Sequence, residues 1–286
     1  MKYIKSREEF NRLNEQLFGK ASSKILSLLG LGDDKDIQEP GASVVDGQVV
    51  TRITGNKGDN IKALIEAMKR HGITNPYTQV AILGVIGKET GYIPQNEIGY
   101  GTTGNDRIRK IFGKRVNDLS DSELTSLKSN EVKFFDRVYG PDDPTGNGKK
   151  YGNVQPGDGY KYRGRGFNGI TFRKGYERMQ GLLDKMGKLD KKVDIVNNPD
   201  SLNDVNVAAE VAAIYFLEAA NSSMMGRKYG VSDINGFKDQ DTAIKAMANA
   251  NAGWGSNMET DFLAAVQKSR DQAAQFKIDT TGVGLA

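Results

Sequence analysis

The chain has no cysteine, a single histidine and a single tryptophan in 286 residues. Without thiols there is no disulfide, no thiolate nucleophile and no cysteine-ligated zinc, and one imidazole excludes multi-histidine metal sites. A Ser-His-Asp arrangement would have to rest on His71 alone. No apolar run approaches the roughly 20 residues that span a bilayer. The longest, Val80–Gly87 and Val207–Leu217, are short, and Glu210 interrupts the second. The opening residues, Met1-Lys2-Tyr3-Ile4-Lys5-Ser6-Arg7, are charged and lack the apolar stretch of a secretory signal, so synthesis in the cytoplasm without standard export is expected. Any target beyond the membrane must then be reached by another route. A large excess of one charge is missing too: 40 Lys+Arg against 36 Asp+Glu leave a formal net charge of +4, which names no polyanionic partner. What remains for chemistry is carboxylates, hydroxyls, amides, Lys and Arg, a set suited to acid–base work on sugars or to a hard cation held by Asp and Glu.

The length suits roughly two domains, or one large domain with an appendage. Ser6 and Glu9 have the capping-box form, and Phe10, Leu13, Leu17, Ile25, Leu28 and Leu29 recur at helical spacing, which predicts a helical hairpin or kinked helix over the first 30 residues. Residues 30–59 have the composition of a linker or irregular loop, with Glu39-Pro40-Gly41 and few large apolar side chains. A boundary near residue 55 separates this 1–55 segment from a domain over 56–279, followed by a loose tail at 280–286. In the domain, Ile61, Leu64, Ile65 and Met68 form one apolar stripe ended by Gly72. A second helix from about Pro76 to Thr90 is apolar almost all round, which implies burial at the centre. Further helices are expected at 121–128, 129–138, 173–186, 204–220, 240–250 and 257–276, with Asp241 and Asn257 as N-caps of the last two. Residues 139–170, rich in Gly, Asp, Tyr and Lys, read as one long loop, and loops of that length in compact domains are usually functional.

Two motifs stand out. In Gly87-Lys88-Glu89-Thr90-Gly91-Tyr92 the apolar helix ends on a carboxylate. Desolvation there disfavours the ionised form, as a general acid requires. Glu97 follows eight residues later, with Gly91 and Pro94 between, so the two share no helix face. They face each other only if the loop turns back; either glycosidase carboxylate spacing is then open, and two solvated glutamates would give the same pattern. The second motif, Tyr160-Lys161-Tyr162-Arg163-Gly164-Arg165-Gly166-Phe167-Asn168-Gly169-Ile170-Thr171, mixes flat aromatic faces, guanidinium groups and glycines that let backbone approach a ligand. Tyr162 and Arg163 are expected to act on a sugar or on the carboxylates, with a β-turn bearing surface arginines as the plainer alternative. Tyr92, Tyr100 and Thr103 are further expected substrate contacts. Weaker features have plain readings: Arg107–Arg115 as a solvated helix face, His71 as a helix C-terminal cap, Trp254 as a sugar platform or a core plug. Asp142, Asp143 and Asp158 lack EF-hand spacing.

An apolar helix ending in Glu-Thr-Gly, a second Glu soon after and a Tyr-Arg-Gly-Arg-Gly segment together resemble the lysozyme-type members of glycoside hydrolase family 19, the chitinase and phage endolysin family, over roughly residues 60–270. The resemblance implies a mainly α, lysozyme-like two-lobed helical domain with a substrate cleft, carrying a short N-terminal helical appendage. It assigns Glu89 as general acid and Glu97 as the base that activates water, with Thr171 holding water or sugar and Asn251 on the cleft wall. Lys88 stands where the family often has His, Tyr92 replaces a second glycine, Asn168 and Gly169 replace Ile and Gln, and Gly175 replaces an Asn. These departures bear on subsite preference. The implied activity is hydrolysis of the β-1,4 bond between MurNAc and GlcNAc in peptidoglycan, by an inverting mechanism without a cofactor. The expected partner is the glycan strand, with no nucleic acid, no membrane insertion and a monomeric state. Phage lysis, or carriage in a virion, would bring such an enzyme to the wall. A chitinase of the same fold, a lytic transglycosylase needing only one acid, and a non-catalytic wall-binding virion protein are the alternatives.

Overall fold

A computed structural model of the chain describes residues 42–45, 48–51, 55–252 and 260–276. Within them the architecture is mainly helical. Strands β1 (Ala42–Val45) and β2 (Gln48–Thr51) pair antiparallel, Val44 opposite Val49. Helices α1 (Gly55–Arg70), α2 (Pro76–Thr90), α3 (Asn105–Phe112), α4 (Asp121–Lys128), α5 (Glu131–Tyr139), α6 (Asn147–Lys150) and α7 (Asp158–Lys161) follow. Then come α8 (Arg173–Met186), α9 (Val205–Ala220), α10 (Ser223–Tyr229), α11 (Gln240–Ala252) and α12 (Thr260–Ala273). The chain divides into two compact units, one of residues up to Tyr92 and from Phe216 on, the other Ile93–Tyr215.

In the first unit α2 is the central element. Asn75 starts it, its Oδ1 accepting Thr78 N–H at 3.1 Å while Pro76 supplies a preset first-turn φ. The Asn75 amide also donates to Asn235 O at 2.8 Å and Phe237 O at 2.9 Å, tying the helix start to the chain before α11. Val80, Ala81, Ile82, Leu83, Val85 and Ile86 are all buried, because α1, α11 and α12 pack around the helix. Gly84 lets α12 come close: an added Cβ would lie 2.5 Å from Ser269 O. β2 also meets α1 and α2, so residues 42–45 and 48–51 are paired strands and not the irregular loop that composition suggests. The physical reason is local: β-branched residues flank Asp46-Gly47, a strong hairpin signal that a count of large apolar side chains overlooks.

The second unit is built on an apolar cluster of Tyr162, Tyr176, Leu183, Leu202, Val211 and Ile214, joining α8, α9 and the segment before them. Ser120 and Glu123 form a reciprocal capping box on α4. Residues 139–170 contain two short helices, and carboxylates hold their turns. Asp143 accepts the Thr145 and Gly148 N–H groups at 2.9 and 3.1 Å, and Asp158 accepts those of Val154 and Gln155, both at 2.9 Å. These aspartates therefore organise their own loops. Asp241 does not cap α11: Asp239 Oδ1 accepts Thr242 N–H at 2.8 Å, while Asp241 pairs with Arg270 and Lys245. His71 ends α1, followed by Gly72 at φ 74°. The expected helix over 1–30, the tail, Asn257 and Trp254 lie outside the described residues.

Candidate active site

Glu89 sits in the last turn of α2, which ends because Gly91 adopts a left-handed conformation (φ 59°) and donates its N–H to Gly87 O at 2.9 Å. Tyr92 continues at φ 66°, an uncommon state for a bulky residue. Two contacts hold it there: Asn60 Nδ2 donates to Tyr92 O at 2.7 Å, and the ring packs edge-on against Phe276 at 6.1 Å. The Tyr92 ring also covers Gly87, where an added Cβ would stand 2.3 Å from the hydroxyl. Glu89 itself is buried, and Oε1 accepts from Lys88 Nζ and Asn251 Nδ2, each at 2.9 Å. The Lys88 side chain is 8% exposed. A carboxyl group, an amine and an amide thus meet at one helix end, with Asn251 supplied by α11 from 162 residues away.

Glu97 belongs to the second unit and is 4% exposed. Its Oε1 accepts two phenolic hydroxyls, Tyr100 and Tyr139, both at 2.9 Å. Oε2 accepts Gly164 N–H at 3.4 Å. The main chain is clamped as well: Glu97 N–H donates to Gly164 O at 2.7 Å and Arg163 Nε donates to Glu97 O at 3.0 Å. Tyr100 and Tyr139 lie in an aromatic cluster with Phe112, Phe134 and Phe135, ring centroids 5.1–6.2 Å apart. That cluster excludes water, so burial pushes the Glu97 carboxyl above the ordinary range, against the opposing pull of the Tyr139 and Tyr100 hydroxyls, Gly164 N–H and Arg163. Burial and the neighbouring Glu97 charge likewise raise the Tyr100 phenol well above its usual value, keeping it a donor.

Arg165 and Ile170 bridge antiparallel, which brings Gly164 and Thr171 alongside one another. A Cβ added at Gly164 would lie 3.4 Å from Glu97 Oε2 and 3.5 Å from Thr171 Oγ1. Thr171 Oγ1 itself donates to Gly169 O at 2.9 Å. Phe172 follows at φ 62°, a strained state held by burial against Tyr139 and by its N–H bond to Tyr162 O.

The expected residues therefore fall into two groups, Glu89 with Asn251, and Glu97 with Tyr100, Arg163 and Thr171. Three tyrosines expected to face a sugar are buried. Tyr92 packs on Phe276. Tyr100 gives its hydroxyl to Glu97. Tyr162 is wholly buried in the apolar cluster, its hydroxyl accepting from Arg173 at 2.9 Å. Packing demand explains the difference, since a Tyr ring fills a core as readily as it stacks on a ligand. Arg163 is buried over the Tyr160 ring at 4.0 Å, and Arg165 pairs with Asp200 at 2.9 Å, so neither is a surface arginine. Thr103 is half-buried in a turn whose carbonyl accepts Lys128 Nζ. Tyr139 is the residue sequence reasoning missed; it lies 42 positions from Glu97, and no local pattern links them. An open cavity of about 490 Å³ lined by Leu183, Leu189, Asp190, Lys191 and Lys192 includes none of these residues. In comparisons with known proteins, no family model and no curated protein matches the chain.

Proposed function

We propose that the protein is a glycosidase that hydrolyses the β-1,4 bond between MurNAc and GlcNAc in peptidoglycan, with Glu89 as general acid and Glu97 as general base. The observation that carries this reading is the pair of buried carboxyl groups, each held by side-chain donors in a chain without cysteine and with one histidine. Glu89 protonates the glycosidic oxygen as it leaves. Glu97 takes a proton from water attacking the anomeric carbon from the opposite face, and inversion follows. A lysozyme-like two-lobed fold with a substrate cleft, a monomeric state without cofactor, and delivery to the wall during phage lysis or on a virion belong to the same proposal.

A specific observation favours a second reading with the roles exchanged. The Lys88 ion pair is an interaction of ionised Glu89, whereas burial favours the protonated form of Glu97. Substrates whose leaving group needs no proton separate the two. On a nitrophenyl glycoside of the wall sugar, the Glu→Gln variant of the acid recovers turnover and that of the base does not. Recovery in Glu89→Gln supports the first assignment, and recovery in Glu97→Gln the second. Mass spectrometry of digested peptidoglycan tests the activity itself. A reducing end plus one water is the expected product, an anhydro-sugar would identify a transglycosylase, and no cleavage would leave a binding protein. NMR of the first products should show the α anomer.

A further inference from the structure

Glu97 offers two chemically different oxygens. Oε1 already accepts two O–H donors, from Tyr100 and Tyr139, so a proton placed there would displace one of them. Oε2 accepts only the long Gly164 N–H hydrogen bond among the described residues, and a Cβ added at Gly164 would lie in contact with both Oε2 and Thr171 Oγ1, at 3.4 and 3.5 Å. Both protonation states keep the two short tyrosine bonds only if the proton comes and goes at Oε2. We propose that Tyr100 and Tyr139 are positioning residues that occupy Oε1 and thereby make Oε2 the oxygen of Glu97 that exchanges a proton. Gly164 is the second part of the device: it places no side chain between Oε2 and Thr171, and it is not among the glycines at positive φ, so no left-handed turn demands glycine there. The inference rests on Glu97 being a working carboxylate, and it holds whether that carboxylate serves as base or acid.

The charged and titratable groups around Glu97 are few. Tyr100 and Tyr139 touch it, Arg163 binds its carbonyl, Arg115 lies over the Tyr139 ring at 5.7 Å, and Glu131 lies beside Gly99. Tyr139→Phe and Tyr100→Phe keep the rings that fill the cluster and remove one O–H donor each. The test has two arms on the full chain. In the first, carboxyl-carbon NMR with ¹³C-labelled glutamate follows the Glu97 titration, assigned by its loss in Glu97→Gln. Both Phe variants should titrate higher than the parent protein, and the double variant higher still; an unmoved titration overturns the positioning role. In the second, Gly164→Ala places a methyl group in ordinary contact with both Oε2 and Thr171 Oγ1. It should lower kcat by about tenfold or more, the scale of a misplaced reacting group, with the melting temperature little changed. Full turnover in Gly164→Ala overturns Oε2 as the exchanging oxygen. Full turnover in Glu97→Gln would instead remove the catalytic reading of Glu97, an outcome the NMR arm does not depend on.

Discussion

A carboxyl group enclosed by tyrosine and phenylalanine rings costs free energy when it is charged, and Glu97 is such a group. Its folded pKa lies above the unfolded value because burial outweighs the hydrogen bonds it accepts. Its contribution to stability is therefore fully present below the ordinary carboxylate range and is lost as pH rises through the raised folded value. Glu97→Gln should accordingly melt higher than the parent protein at neutral pH, with the difference shrinking in acid; calorimetry from about pH 3, below the ordinary carboxyl value of about 4, up to neutral pH checks it. Arg163 gives a second expectation at this scale. The role expected from the sequence, on a sugar or on the carboxylates and not on the fold, would leave stability changed by about 1 kcal/mol or less on its loss. Its guanidinium instead bonds Glu97 O and Tyr160 O and stacks on Tyr160 while buried. Arg163→Ala should thus cost about 2–4 kcal/mol by urea unfolding, as well as turnover, because it leaves buried carbonyls unpaired.

Glycines in two helices make opposite predictions at the scale of elements. Gly84 in α2 faces α12, where an added Cβ would approach Ser269 O at 2.5 Å and Ala273 Cβ at 3.0 Å. A backbone carbonyl cannot swing aside as a side chain can. Gly84→Ala should destabilise by about 1–3 kcal/mol through overpacking. Gly181 in α8 has no atom within 4 Å of an added Cβ and no positive φ. Gly181→Ala should stabilise by about 0.5–1 kcal/mol through helix propensity and a smaller unfolded-state entropy. Denaturant midpoints of the two variants read both signs. The same elements show how far pattern carries. The helix over 76–90 and its burial follow from apolar residues on every side between Pro76 and Gly91. The helices inside 139–170 do not, because they last one turn each and depend on Asp136, Asp143 and Asp158 bonding to backbone N–H groups across several residues.

For the whole molecule, removal of residues 1–54 tests what the N-terminal segment contributes. Both glutamates and the Arg-Gly-Arg-Gly segment lie beyond it. Because β2 meets α1 and α2, the shortened chain should melt at a lower temperature yet remain cooperative and still cleave soluble wall fragments. A non-cooperative melt would show that the hairpin is part of the core. Repeating patterns of apolar residues are enough to place most helices, to bury α2 and to end it beside Glu89, since helical periodicity and capping are properties of neighbouring residues. The surroundings of the carboxyl groups are another matter. Asn251 reaches Glu89 across 162 residues and Tyr139 reaches Glu97 across 42. Tyr92, Tyr100 and Tyr162 are turned inward by packing, although their composition suits a sugar surface equally well. Partners of that separation are selected by how helices pack, and a side chain's direction is set only when the space beside it is filled; no spacing along the chain encodes either.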